Sequence, residues 1–205
     1  MLAPMPTREE ITKHHDLGPD HNPWVGERPA PAPIHVVDYD ESWPAAFEEI
    51  ATAVRAALGD AALAVEHVGS TSVPGLPAKP TIDVDLTVAD PADELAYVPA
   101  LEPIGFALVT REPTWHEHRC LVRSSSPKVN LHVFGPDCPE VIRHRMFRDW
   151  LRSHPEDRDL YRRAKLAAAA EITDKGGIVM DYNRVKEPVL REIYERMFRA
   201  NGLLP

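Results

Sequence analysis

The chain has 205 residues, 43% of them hydrophobic and 27% charged, enough for one domain with a real core and a tail. Acidic residues outnumber basic ones 32 to 23, for a formal charge of −9, so no basic face advertises a nucleic-acid partner. No run of about 18 apolar residues is present, so a membrane span is not expected. The start, MLAPMPTREEITKHHD, has no apolar stretch behind a basic one, so no signal peptide is expected. Cys120 and Cys138 are too few for a disulfide framework and read as free thiols of a cytoplasmic protein.

Residues 1–33 read as a Pro-rich appendage, and 34–200 as the domain. In the appendage, Thr7 and Glu10 have capping-box spacing. The following stretch, LGPDHNPWVGERPAPAP, is too dense in Pro and Gly for regular structure. His14, His15 and His21 sit there, and scattered tail histidines are more often solvated than metal-bound. IHVVDY (34–39) reads as a strand. A helix follows from Ser42, with Pro44 in its first turn, Phe47, Ile50, Ala51, Val54 and Leu58 at helical spacing, and Gly59 ending it. Strands are expected over 62–68 and 80–88. A helix over 91–105 and a short strand at FALVTR come next. Strands over 116–123 and 128–134 flank SSSP as a hairpin. From Glu140 the pattern is helical in three parts, the last starting near Pro188. The fold class is therefore α+β, a mixed sheet covered by helices with a helical C-terminal third.

The informative stretch is VEHVGSTSVPGLPAKPTIDVDLTV, residues 65–88. Ile82, Val84, Leu86 and Val88 alternate with Thr81, Asp83, Asp85 and Thr87, which puts both aspartates on one strand face. In KVNLHVF, Asn130 and His132 alternate with Leu131 and Val133 in the same way. Two carboxylates about 4 Å apart at an effective dielectric near 20 repel by on the order of 4 kcal/mol. A divalent cation removes that cost, and Mg²⁺ favours one or two carboxylates with phosphates and water. Alone, a D-x-D is more often a solvated strand edge. Here it follows Gly69-Ser70-Thr71-Ser72, whose backbone and hydroxyls suit phosphate oxygens, and Lys79. The turn is not a Walker A loop, because no Gly-Lys-Ser/Thr closes it.

Hydrophobic-Gly-Ser, twelve residues, then Asp-x-Asp-hydrophobic is similar to the signature of the nucleotidyltransferase superfamily with the polymerase-beta-like fold. HVGSTSVPGLPAKPTIDVDLTV more closely resembles the central motif of the GrpB family (UPF0157-like). VVDYDESWPAAFEEI, NLHVF, FRDWLRSHPEDRDLYRRAKLAAA and YNRVKEPVL extend the likeness over about 34–198. The resemblance implies a mixed sheet of that type with helices on one face. It implies that Gly69, Ser70, Thr71, Ser72 and Lys79 hold nucleotide phosphates, and that Asp83 and Asp85 bind Mg²⁺ or Mn²⁺. His132 stands where the superfamily carries a third acid, and would serve as a proton acceptor instead. The implied function is transfer of a nucleotidyl group from an NTP to a small acceptor. The alternative is a non-catalytic nucleotide- or phosphate-binding accessory module. His67 is either second to the metal or an ordinary strand histidine. His116 and His118 share a strand face with Cys120, and hairpin register decides whether they or Arg119 meet His132. Arg148, Asp149, Tyr161, Lys165 and Lys186 fall in the family-like C-terminal segments as secondary candidates.

Overall fold

The computed structural model describes residues 5–15, 22–28, 30 and 33–205. Its centre is a five-stranded mixed sheet in the order β1-β2-β5-β4-β3, built from β1 (Ala64–Val68), β2 (Thr81–Thr87), β3 (Ala107–Glu112), β4 (His118–Arg123) and β5 (Lys128–Phe134). Only β2 and β5 run parallel, and their register sets Asp83 beside Asn130 and Asp85 beside His132. The β4–β5 hairpin turns at SSSP and pairs Cys120 with His132 and Arg119 with Val133.

The alternation divides the sheet as expected. Ile82, Val84, Leu86, Leu131 and Val133 face a core closed by α2 (Trp43–Leu58), through Phe47, Ile50 and Val54, and by α3 (Val98–Leu101). The opposite, polar face is also covered. There α4 (Pro139–Ser153) donates from Arg148 Nη1 to the His67 carbonyl at 3.0 Å, and from Arg152 Nη2 to the Ser72 carbonyl at 2.7 Å. Helices therefore lie on both faces rather than one. α4 also packs against α5 (Pro155–Asp174) and α6 (Val179–Ala200), which pack on each other.

Three expected elements differ. Residues 34–39 form no strand. Only Val37 pairs, with Ala78, while the Ile34 amide donates to the Thr173 hydroxyl at 3.1 Å and Ile34 packs against Ala168 and Tyr182. The helix expected over 91–105 is α3 between two short 3₁₀ turns, because Pro99 and Pro103 lack the amides a long helix needs. The last helix starts at Val179 and runs through Pro188. The Asp181 carboxylate accepts from the Ile178 amide at 3.0 Å, and the buried Tyr182 and Ile193 fix the helix on either side of the proline.

The described part of residues 1–33 packs on the domain rather than hanging from it. The Thr7–Glu10 capping box opens α1 (Arg8–Thr12), whose Ile11 packs with Tyr194, Met197 and Phe198. Trp24 bridges Thr110, and the Val25 amide donates to the Val109 carbonyl at 2.9 Å, so this segment lengthens the sheet at β3. His21 lies outside the described residues. Among the described residues, no helix is long and apolar enough to cross a membrane.

Candidate functional site

A cleft of about 1130 Å³ opens between the polar face of the sheet and α5 and α6. Gly69, Ser70, Lys79, Asp83 and His132 line it, so five of the eight main site candidates come together, with the secondary candidates Tyr161, Lys165 and Lys186, while Asp85, Thr71 and Ser72 are not in the lining. Gly69 leaves β1 at φ 67°, ψ −169°, a conformation that essentially only glycine adopts. A side chain there would also strike Asp83, whose Cβ lies 2.8 Å from where a Cβ on Gly69 would sit. The turn and the carboxylate are thus in direct contact.

Thr71 and Ser72 do not share the cleft. Both are buried. The Thr71 hydroxyl meets His67 Nε2 at 3.1 Å and donates to the Thr81 carbonyl at 3.3 Å, and the Ser72 hydroxyl donates to the Gly69 carbonyl at 2.6 Å. The short 3₁₀ turn after Gly69 points these side chains inward to brace the loop, which corrects their expected contact with phosphate.

The aspartates differ. Asp83 is half-buried and accepts from Asn130 Nδ2 at 2.8 Å, with His132 Nε2 3.9 Å from the same oxygen. Burial opposes its ionisation, but His132, Asn130 and Lys79 outweigh burial and hold its pKa below the usual value. Asp85 is 1% exposed, and its Oδ2 meets Nδ1 of His144, from α4, at 2.9 Å. His144 Nε2 in turn lies 3.5 Å from Glu140. Burial disfavours charge on His144, yet the Asp85 and Glu140 carboxylates prevail and lift its pKa to about 10. His132 is likewise disfavoured by burial, but Cys120 and Asp83 raise it well above its ordinary value. Its Nδ1 lies 3.1 Å from His118 Nε2, and His118 Nδ1 lies 2.7 Å from Glu112. Burial lowers the His118 pKa to about 4. His118 Nδ1 faces Glu112 and its Nε2 faces His132, while Asp83 beside His132 favours a proton on that ring. That bias weighs against a general base at His132 as long as Asp83 carries no cation.

His67 takes the plainer of its two readings. It is stacked on Phe47 with centroids 4.7 Å apart and is not in the cleft. His116 lies in the turn before β4 at φ 55°, against His15, so only His118 and Cys120 share the strand face. Arg148 and Asp149 pair with each other at 2.8 Å and anchor α4 rather than enter the cleft. His144, Glu140 and Tyr182 went unseen in the sequence. Their one signal was the i,i+4 spacing of Glu140 and His144.

A divalent cation can be tested against these groups. Among the described residues, no cluster of three or more His, Cys, Asp or Glu forms a protein-only metal cage. Asp85 Oδ1, however, is buried without any hydrogen-bond partner there. A buried anionic oxygen lacking a donor fits a cation that takes only one or two carboxylates and completes its shell with phosphate and water.

Residues 33–196 match the family described as GrpB protein. The chain belongs to the GrpB family. A UPF0157 protein of Halalkalibacterium halodurans is 46% identical over 173 residues, covering 84% of this chain and 87% of that one. One from Streptomyces coelicolor is 38% identical, covering 80% and 83%. The crystal structure of conserved protein GrpB from Enterococcus faecalis superposes with a TM-score of 0.67 at 28% identity, over 80% of this chain and 99% of that one. A protein named dephospho-CoA kinase from Mycolicibacterium paratuberculosis is 32% identical over 82% of this chain, but that match spans only 46% of the kinase's length. This GrpB-family chain contains no Walker A sequence.

Proposed function

We propose that this GrpB-family protein has a sheet of the polymerase-beta-like type and transfers a nucleotidyl group from an NTP to a small acceptor. The observation that carries the reading is the contact between Gly69 and Asp83 at the cleft floor. It brings the glycine turn and a carboxylate to one point, with Ser70 and Lys79 lining the same cleft. In the reaction, the acceptor's nucleophile attacks the α-phosphorus, the bond to the β-phosphate oxygen breaks, and pyrophosphate leaves. Gly69 and Ser70 hold the phosphates in line. Asn130 and His132 fix the Asp83 carboxylate. Asp83 and Asp85 would hold Mg²⁺ or Mn²⁺, which supplies neutralisation of phosphate charge. The acceptor's proton leaves to solvent.

A second reading, a nucleotide- or phosphate-binding module without turnover, is favoured by one observation. His132 and His144 already face the two aspartates, where the superfamily would have a third acid and a second open carboxylate. The similarity to part of proteins named dephospho-CoA kinase also suits an accessory role.

The test is a labelled-NTP screen with and without Mg²⁺ or Mn²⁺, on wild type and Asp83→Asn. Release of pyrophosphate with a labelled product, lost in Asp83→Asn, supports transfer. In a thermal scan, ligand at 100 times its dissociation constant stabilises by about 2.7 kcal/mol. Stabilisation without turnover decides for the binding module. An equal response in Asp83→Asn removes Asp83 from the site.

A further inference from the structure

We propose that Lys79, Lys165 and Lys186, set around Tyr161 and Tyr182 on the far wall of the cleft, form a seat for a polyphosphate chain. The inference rests on the nucleotide reading of the cleft and names the part of the ligand that α5 and α6 recognise.

The three side chains come from separate elements and converge. Lys186 Nζ lies 4.6 Å from the centroid of the Tyr182 ring, and Lys79 Nζ lies 5.2 Å from the same centroid. Lys165 Nζ lies 5.3 Å from the Tyr161 ring, and Lys186 donates to the Tyr161 hydroxyl at 3.2 Å. All five residues line the same cleft as Gly69 and Asp83.

What the cluster lacks is a carboxylate in direct contact, since Asp83 acts on Lys79 and Lys165 only at longer range. Among the described residues, none of the three lysines has a carboxylate in ion-pair contact. Lys165 is 2% exposed and donates only to the Pro77 carbonyl, at 2.6 Å. Lys79 has a ring face and no hydrogen-bond acceptor. Buried charge without a counter-ion is costly, and a tyrosine face offsets only about 0.5–2 kcal/mol of that cost. Burial, and then the neighbouring Lys186, push the Lys79 pKa down to about 8. An anion reverses both effects.

The number of lysines sets the ligand class. Burial, and then Lys186, also hold the Lys165 pKa well below its ordinary value, so an anion that restores charge on all three amines must carry more than the roughly −1.5 to −2 of one phosphate group. Two or three linked phosphates match them, and the tail of a nucleoside di- or triphosphate with its α-phosphate at Gly69 and Ser70 extends toward this wall. Specificity for the tail thus comes from the helical third of the chain, and the sheet supplies the reacting end.

The experiment titrates the full chain calorimetrically with inorganic tripolyphosphate, pyrophosphate and orthophosphate, without divalent metal or nucleotide. The expected order of affinity is tripolyphosphate, then pyrophosphate, then orthophosphate, with binding weakened by salt. Lys79→Met and Lys186→Met, both at half-buried cleft positions, should each weaken tripolyphosphate by about tenfold or more, the size of one lost charged hydrogen bond. The exposed Lys175→Met should not. Lys165→Met, where its melting curve shows it folded, should weaken tripolyphosphate like the two cleft variants. No binding by wild type, no preference for the longer chain, or unchanged affinity in both Lys79→Met and Lys186→Met overturns the seat. Tripolyphosphate binding without NTP turnover leaves the seat standing and removes transfer. Turnover with unaltered affinity in the lysine variants removes the seat and leaves transfer.

Discussion

Gly69 and Asp83 are built against each other: the glycine's bare Cα is the space the carboxylate occupies. Gly69→Ala should therefore act twice. Its φ of 67° is strained for any side chain, and the new methyl would drive Asp83 off Asn130. The expected cost is about 1–3 kcal/mol in denaturant unfolding, together with loss of the metal–nucleotide thermal shift. A folded Gly69→Ala with normal stability and a normal ligand response would show that the contact is incidental.

The N-terminal segment touches the domain at two places. Its proline content reads as an appendage, yet Ile11 closes an apolar cluster with Tyr194 and Phe198, and the Arg111 amide donates to the Pro23 carbonyl at 2.8 Å. A chain beginning at Pro33 should still unfold cooperatively, since the family match begins there. Its melting midpoint should fall by several degrees, as expected for about 1–2 kcal/mol lost from a chain of this size. An unchanged midpoint would return the segment to the status of an appendage.

What could be read in advance followed local rules. Period-2 alternation placed Asp83, Asn130 and His132 on one face, and the structure puts them within reach of each other. The Thr7–Glu10 spacing foretold its capping box. Rules failed where tertiary packing overrides them. Pro188 reads as a helix start, but the flanking contacts of Tyr182 and Ile193 carry α6 through it. Thr71 and Ser72 read as phosphate ligands because nothing local tells a hydroxyl which way a 3₁₀ turn will point it. His144 and Lys165 were hardest. Each is one charged residue in a helix of charged residues, brought to the cleft from 59 residues beyond Asp85 in one case and to a carbonyl 88 residues away in the other.

His67 gives a pH signature of the fold. Burial against Phe47 lowers its pKa to about 4 from an ordinary 6.5. Between these values the unfolded chain binds the proton and the folded one does not. Its contribution is therefore fully present above about pH 6.5 and is lost as pH falls toward 4, by up to roughly 3 kcal/mol. His118, also lowered, adds to the slope. His67→Gln should be flatter than wild type when unfolding free energies at pH 7 and pH 4.5 are compared. Identical slopes would mean that His67 is protonated in the folded state.

His132 is the residue whose replacement separates a cation site from a permanently paired one. In wild type its ring, biased toward the protonated form by Asp83, lies 3.9 Å from that carboxylate, and Asp85 is its neighbour across β2 and β5. His132→Asp removes that positive charge and adds a third carboxylate. Without metal the variant should be less stable, since like charges at such distances repel by on the order of 4 kcal/mol at an effective dielectric near 20. Mn²⁺ with NTP should recover that loss, so the metal-dependent rise in melting temperature should be larger in His132→Asp than in wild type. His132→Ala removes the same charge without adding a carboxylate, so its metal response should lie between those of wild type and His132→Asp. Melting curves with and without Mn²⁺, at fixed NTP, read all three proteins together. If His132→Asp is destabilised and Mn²⁺ recovers nothing, position 132 lies beside the acids but not beside a cation, and the non-catalytic binding reading becomes the one the cleft supports.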